Sequence, residues 1–395
     1  MAATHPTDAR TRQSGGGFTL ARLDAQVLRW PLDTPVQTSF GTMRDRPAVL
    51  VRAECRDGAI GWGESWCNFP SCGAEHRARL IDSVVAPLLL GRTFGSPEEA
   101  FDELTAATAV LALQSGEAGP IAQAIAGVDI ALWDLSARRA AAPLWRLLGG
   151  RSGSVPVYAS GINPQRPGDT VARLRGEGHV AFKLKIGFGI ERDLANLTAV
   201  RAAAGEPATM MADANQAWTI DEASRHAPRL QPYRLAWLEE PLRADAAQAD
   251  WRALAKAAPM ALAAGENLIG EPAFDAAIAA GALGVVQPDV AKWGGISGCR
   301  RVIERVEAAG LRYCPHFLGA GVGLTASAHL LAAHPGSGRW PGLLEVDGNP
   351  NPLRTLLAPA LATLRDGRIA LGDAPGLGVQ PQLKDLETMC RAAGG

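Results

Sequence analysis

Long apolar runs are missing from this 395-residue chain, and no stretch approaches the roughly 18 uninterrupted apolar residues that a membrane-spanning helix needs. Excess charge of either sign is missing too. With 39 Lys and Arg against 40 Asp and Glu, the formal net charge is −1, so no basic field exists to gather nucleic acid or an anionic membrane. Cysteine is sparse: the six residues, at 55, 67, 72, 299, 314 and 390, form no CxxC and no metal-finger spacing. That pattern predicts reduced thiols in a cytoplasmic protein, with the nearby Cys67 and Cys72 left unpaired. The opening MAATHPTDARTRQSGGG lacks the apolar core of a signal sequence and is expected to be a disordered tail over residues 1–17. The partner that remains is a small molecule or another protein.

What is present is the composition of a globular chain, 47% hydrophobic and 20% charged. The length is too great for one ordinary core and predicts two domains, or a barrel with an appended module. Residues 18–150 read as an α+β module. FTLARLDAQVLRW and PAVLVRAEC are strands flanking a loop, PLDTPVQTSFGTMRDR; AIGWGES is a further strand; Ala/Leu-rich helices follow, ending at the LLGG breaker. Over residues 151–350 eight short apolar runs (VPVYAS, VAFKLKIG, TMMADAN, LAWLEEP, MALAAGEN, GVVQPDV, LRYCPHF, GLLEVD) alternate with helical stretches. This α/β alternation is that of a (β/α)8 TIM barrel. Residues 351–395 form a C-terminal segment.

Nearly every apolar run ends in a polar or ionisable residue, and in a parallel barrel those ends meet at one mouth. In AFKLKIGFG, Lys183 and Lys185 lie two apart and share one strand face, where two ammonium groups repel unless negative charge is supplied. The next three strand ends supply it: Asp213 in MADAN, Glu239 in WLEEP and Glu266 in GEN. Three such carboxylates predict a divalent cation, and an all-oxygen donor set favours Mg2+. Asn215 would orient a ligand or a metal-bound water, while Glu240 faces the other way as a structural residue. Lys183 is then placed to neutralise developing charge, and Lys185, held neutral by neighbouring cations, to act as a base. Asp289 and His316, ending the sixth and seventh strands, form a dyad and a second general base. Glu345 ends the eighth and is expected to hydrogen-bond a substrate carboxylate as it gains enolate charge. Together these groups suit removal of a proton α to a carboxylate.

This ordered set, K-x-K, DAN, EEP, GEN, the Asp289–His316 dyad and Glu345, resembles the enolase superfamily, mandelate racemase subgroup (the mandelate racemase/muconate lactonizing enzyme family). The stretches GVDIALWDL and PLWRLLGG resemble its junction between cap and barrel. The resemblance implies an N-terminal α+β capping domain that closes over the mouth together with the C-terminal segment, a Mg2+ cofactor and a homo-oligomer. It implies dehydration of an acid sugar (aldonate or aldarate) first, and racemisation or epimerisation of an α-hydroxy acid by two bases second. Lys292 in QPDVAKWGG occupies the place of the second base in the muconate-lactonizing subgroup, so a cycloisomerase acting on a lactone or diacid stays open. Substrate choice would sit in TPVQTSFGTMRDR, whose Arg44 and Arg46 could meet a second carboxylate or a polyol although surface solvation is the expected fate of each, and in WCNFPSCGAEHR, with Trp66, Phe69 and His76. Outside this class stand a metal-free Schiff-base aldolase using Lys183 or Lys185 and a non-catalytic ligand-binding barrel.

Overall fold

The structure, a computed structural model, describes residues 17–37, 41–337 and 340–393, so all but the last residue of the expected tail lies outside the described residues. The N-terminal module is built on an antiparallel sheet of β1 (Phe18–Gln37), β2 (Thr42–Cys55), β3 (Ile60–Ser65) and β4 (Thr93–Phe94), in the order β3-β2-β1-β4. The expected loop over 31–46 is mostly hairpin. Pairing runs to Pro31↔Asp45, breaks, and resumes at Val36↔Met43. The turn formers that suggested a loop are taken up by that irregularity, which bends the ladder without ending it.

The helix Ala118–Arg139 lies across this sheet and is buried along most of its length. Its close approach explains the GWG spacing of β3. A Cβ on Gly61 would sit 2.1 Å from the Ala131 carbonyl oxygen, and one on Gly63 would sit 2.0 Å from that of Gly127. Only glycine fits at either position.

The barrel follows. Strands β5 (Ser154–Ile162), β6 (Ala181–Lys185), β7 (Thr209–Asp213), β8 (Trp237–Glu239), β9 (Ala261–Ala264), β10 (Val285–Val286), β11 (Arg312–Tyr313) and, after the short antiparallel pair β12 (Gly336–Ser337) and β13 (Trp340–Pro341), β14 (Leu344–Asp347) match the eight apolar runs. The parallel order is β11-β10-β9-β8-β7-β6-β5-β14, so first and last barrel strands are neighbours. The remaining seam is bridged by Leu343 N–H to the Cys314 sulfur (3.4 Å) and Phe317 N–H to Glu345 Oε2 (3.3 Å). Tyr158, Met211, Trp237, Val285 and Cys314 fill the barrel interior. Among the described residues no helix is long and apolar enough to cross a membrane.

The C-terminal segment joins the cap to the barrel. Its strand β15 (Arg368–Ala370) pairs antiparallel with the start of β5, at the opposite end of the barrel, and its helix Leu383–Ala393 packs against β1 through Leu386 and Cys390. All six cysteines are free, Cys67 buried and Cys72 exposed.

Cap and barrel are joined by buried carboxylates that accept backbone N–H groups. Asp129 receives Ile296 N–H (2.7 Å), Ser297 N–H (3.0 Å) and the Ser297 hydroxyl (2.6 Å) at the N-terminus of the helix Gly295–Ala308, where orphan amides and the helix dipole favour an anion. Asp134 receives Trp62 N–H (2.8 Å) and Leu377 N–H (2.6 Å), tying β3 to the C-terminal segment. Burial pushes the Asp129 carboxyl up to about 7, against the opposing pull of the Ser297 and Ile296 donors. The folded state therefore holds a proton that the unfolded chain releases near pH 4. This contribution to stability is complete below that pH and is lost as pH rises through 7. Asp129→Asn is expected to lower the thermal midpoint at pH 5 and to cost less, relative to wild type, at pH 8; thermal melts of both proteins at the two pH values check it, and an equal or larger penalty at pH 8 would contradict it.

Candidate active site

Strand alternation sends Ala181, Lys183 and Lys185 to the barrel interior, with Lys183 one layer below the mouth. Its ammonium lies 2.6 Å from Glu239 Oε1, 2.8 Å from Glu345 Oε1, 3.9 Å from Asp213 Oδ2 and 3.4 Å from the Tyr158 hydroxyl. Burial alone would strip its charge, but Glu239 and Glu345 hold it well above the ordinary lysine range. One ammonium thus serves two carboxylates unequally. Burial pushes Glu239 up to about 7 despite Lys183. Glu345 overcomes burial and falls to about 2, held by Lys183, His316 and the Ser160 hydroxyl. An ionised carboxylate only accepts, and this one anchors Lys183.

Lys185 Nζ donates to Asp213 Oδ2 (2.7 Å) and Asn215 Oδ1 (2.5 Å). Burial works against its charge, yet Asp213 overrides both that and the nearby Lys183, and the group lies above the ordinary range. Its nearest charged neighbour is thus an anion, Asp213, where the sequence reading set cations around it. His316 Nδ1 lies 2.7 Å from Asp289 Oδ2, its Nε2 meets Glu266, and Glu345 Oε2 is 3.9 Å away. Burial opposes the imidazolium, while Glu266 and Glu345 raise it well above the usual histidine range.

Asp213, Glu239 and Glu266 offer only oxygen donors from adjacent strands, with Asp213 in register with Glu239, and Glu239 in register with Ala263, three residues before Glu266. In kind and in placement on the sheet they fit a hard divalent cation. Among the described residues, however, no three acidic, histidine or cysteine side chains converge to ligand distance. Each carboxylate is turned to a protein cation: Asp213 to Lys185, Glu239 to Lys183, and Glu266 to His316 and, at 3.7 Å, Lys292. Glu240 accepts two bonds from Asn267 Nδ2 (2.8 and 3.1 Å) and is pushed up to about 8 by burial and by Glu266.

Lys185, Glu266, His316, Lys292 and Glu345 line one cavity of 310 Å³ at the barrel mouth, roofed by Val36, Met43, Trp66 and Phe69 of the cap. Lys292 Nζ donates to Asn267 Oδ1 (3.0 Å) and stands 5.0 Å from the Trp66 ring centroid. Arg44 is exposed and lines nothing in the cavity. Arg46 does line it and is not solvated as expected: 3% exposed, it pairs with Asp347 Oδ2 (3.0 Å) and donates to the Pro350 carbonyl (3.1 Å). His76 sits away from the cavity and meets Glu117 at 3.1 Å.

Several residues escaped the sequence reading. Gln287 donates to Glu239 Oε2 at 2.7 Å; its place two residues before Asp289 on one strand face was the available signal. Beside the expected Asn215, carboxamides of Asn68, Asn163, Gln216, Asn267 and Asn349 also line the cavity. They are spread over the cap and four barrel loops, so no spacing rule joins them.

Comparison with known proteins gives the same frame. Residues 23–149 match the mandelate racemase/muconate lactonizing enzyme N-terminal domain, and residues 168–386 match the enolase C-terminal domain-like family. A D-galactarolactone cycloisomerase of Agrobacterium fabrum is 33% identical, covering 90% of this chain and 94% of its own. An L-talarate/galactarate dehydratase of Salmonella typhimurium is also 33% identical, covering 95% and 93%. A crystal structure described as a mandelate racemase/muconate lactonizing enzyme from Bordetella bronchiseptica is 59% identical with a TM-score of 0.91, over 95% of this chain and 100% of that one. A racemase from Streptomyces coelicolor, solved with bound magnesium, is 30% identical with a TM-score of 0.82, over 93% and 99%. With both of its halves matched, the chain belongs to the mandelate racemase/muconate lactonizing enzyme family of the enolase superfamily.

Proposed function

We propose that this enzyme removes the α-proton of a polyhydroxylated carboxylate with the help of Mg2+, and that its reaction is dehydration of an acid sugar, an aldonate or aldarate. The observation that carries the reading is that Lys185 and His316, two chemically distinct proton-transfer groups, open into one 310 Å³ cavity otherwise rich in carboxamides. Carboxamides both donate and accept, which matches a chain of hydroxyls.

Asp213, Glu239 and Glu266 would hold the Mg2+, which supplies positive charge to the substrate carboxylate. Lys185 Nζ takes the α-proton once it has given up its own. Lys183 sets a second positive charge beneath the site, fixed by Glu239 and Glu345. Asp289 holds His316 Nδ1 and so presents Nε2 to the cavity. From there Nε2 donates a proton to the departing β-hydroxyl, which leaves as water as the Cβ–O bond breaks. Racemisation of an α-hydroxy acid would use the same pair on opposite faces of the α-carbon. The small-molecule carboxylate partner, a homo-oligomeric assembly and a cytoplasmic location belong to the same proposal.

One observation favours a second reading. Lys292 also faces the cavity, and the matched relatives include a cycloisomerase, so the second proton transfer, carried by His316 in one reading, would be carried by Lys292 in the other.

Aldonates, aldarates and α-hydroxy acids incubated with Mg2+ in deuterated water, followed for both dehydration and deuterium uptake, test the assignment. Lys185→Ala and His316→Asn should each lower turnover by about 10²–10⁴-fold, and EDTA should abolish it. Turnover that survives EDTA, with borohydride trapping of substrate on the protein, would identify a Schiff-base aldolase instead. Lys292→Met separates the two family readings: under the dyad reading turnover stays within roughly tenfold of wild type, whereas a loss as deep as that of Lys185→Ala would assign Lys292 as the second base.

A further inference from the structure

Past the end of β3 the cap chain keeps a strand's alternation for a few more residues and spends it on the barrel. Ser65 and Cys67 turn back into the cap, Ser65 donating to the Gln123 carbonyl at 2.8 Å and Cys67 lying 4% exposed. Glu64, Trp66 and Asn68 turn the other way. The Glu64 carboxylate, 2% exposed, accepts Ala320 N–H (2.6 Å) and Gly323 N–H (2.8 Å) at the start of the helix Gly321–Ala333. Trp66 N–H donates to the Ala291 carbonyl at 3.1 Å. Asn68 Nδ2 donates to the Leu318 carbonyl at 2.7 Å.

The landing points share a feature. Ala291 is two residues past Asp289, and Leu318 is two residues past His316, so the cap grips both short loops that carry the dyad just beyond the reactive side chains. Glu64 adds a third grip four residues past His316. Space is tight around it: a Cβ on Gly319 would lie 2.7 Å from Glu64 Oε1, and one on Gly323 would lie 2.4 Å from the Phe317 ring. The loop therefore has little room to shift independently of Glu64. Lys185 is held differently, by Asp213 and Asn215 after β7, and none of the three grips lands on β6 or β7.

We propose that Glu64, Trp66 and Asn68 are positioning residues that align the Asp289–His316 dyad from the cap, so that cap docking governs the His316 half of the reaction and leaves the Lys185 half in place. The inference rests on the two-base assignment above. It makes the capping domain part of the catalytic geometry as well as a roof: a displacement of about 1 Å in a proton-transfer group is enough to lower its step by about 10²-fold.

The test uses the full-length, Mg2+-loaded enzyme and whichever aldonate, aldarate or α-hydroxy acid it turns over. Asn68→Ala and Glu64→Gln are compared with wild type, with Lys185→Ala and His316→Asn as references. Two steps are read separately in deuterated water: α-proton exchange, which needs Lys185, and product formation, which needs His316. Glu64→Gln, which leaves the cavity lining intact, is expected to lose product formation by about 10²-fold while exchange stays within about threefold and KM changes little, whereas Asn68→Ala, which also removes a carboxamide from the cavity, is expected to lose product formation more than exchange and to raise KM as well. Exchange and product formation falling together, in step with a lowered thermal midpoint, would reduce the strap to an ordinary stabilising contact and overturn the proposal. A second measurement does not depend on the reaction. The low-field imidazole proton of His316 on Asp289, identified by its loss in His316→Asn, should shift or broaden in the proton NMR spectrum of Asn68→Ala. An unchanged resonance overturns the proposal whatever the kinetics show. If His316→Asn itself spares product formation, the two-base reading fails, and the NMR result alone decides the strap.

Discussion

The arrangement depends on keeping a lysine charged inside a barrel. Lys183 is 1% exposed, and an isolated ammonium at that depth would give up its proton or disrupt the core. Glu239 and Glu345, from strands on either side, prevent this at 2.6 and 2.8 Å. Their own burial is tolerable because Gln287 and Trp237 satisfy Glu239 Oε2, Phe317 N–H satisfies Glu345 Oε2, and Ser160 adds a second donor to Glu345 Oε1. The two proton-transfer groups of the mouth stand next to this buried cluster. Lys185 sits above it on Asp213, and His316 reaches the other side of Glu345 at 3.9 Å.

The barrel and the set of polar side chains at its mouth were legible in the sequence because parallel strands impose a simple rule: alternate residues face inward, and strand ends converge. Lys183, Lys185, Asp213, Glu239, Asp289 and Glu345 all follow from that rule: Lys185, Asp213 and Glu239 end their strands, Asp289 stands just beyond its own, and Lys183 and Glu345 lie within theirs. Protonation did not follow, because charge is decided by partners from other strands. Lys185 was expected among cations and is paired with Asp213, and Glu345 is paired with Lys183. The cap was harder still. The run from Pro31 to Arg46 has the composition of a loop, yet the ladder continues through most of it. Arg46 looked destined for solvent, but its partner Asp347 lies 301 residues away in sequence, beyond the reach of any local pattern.

The seam between cap and barrel uses one device repeatedly, a buried carboxylate accepting backbone N–H groups. Glu64 and Asp129 each engage the beginning of a barrel helix, and Asp134 holds the C-terminal segment. Such contacts are directional, unlike apolar packing, so they fix orientation as well as proximity. The glycines of β3 serve the same end by bringing the sheet close enough to the helix Ala118–Arg139 for both to move as one body.

The long hairpin of β1 and β2 has a consequence for how such a protein changes its preferences. Val36 and Met43 both line the cavity and are direct partners across the ladder. Cross-strand neighbours share one packing environment, so the effect of altering either depends on the identity of the other. A new substrate preference in this roof would then be reached through paired replacements, the second restoring the fit disturbed by the first, and a survey of single substitutions would pass over it.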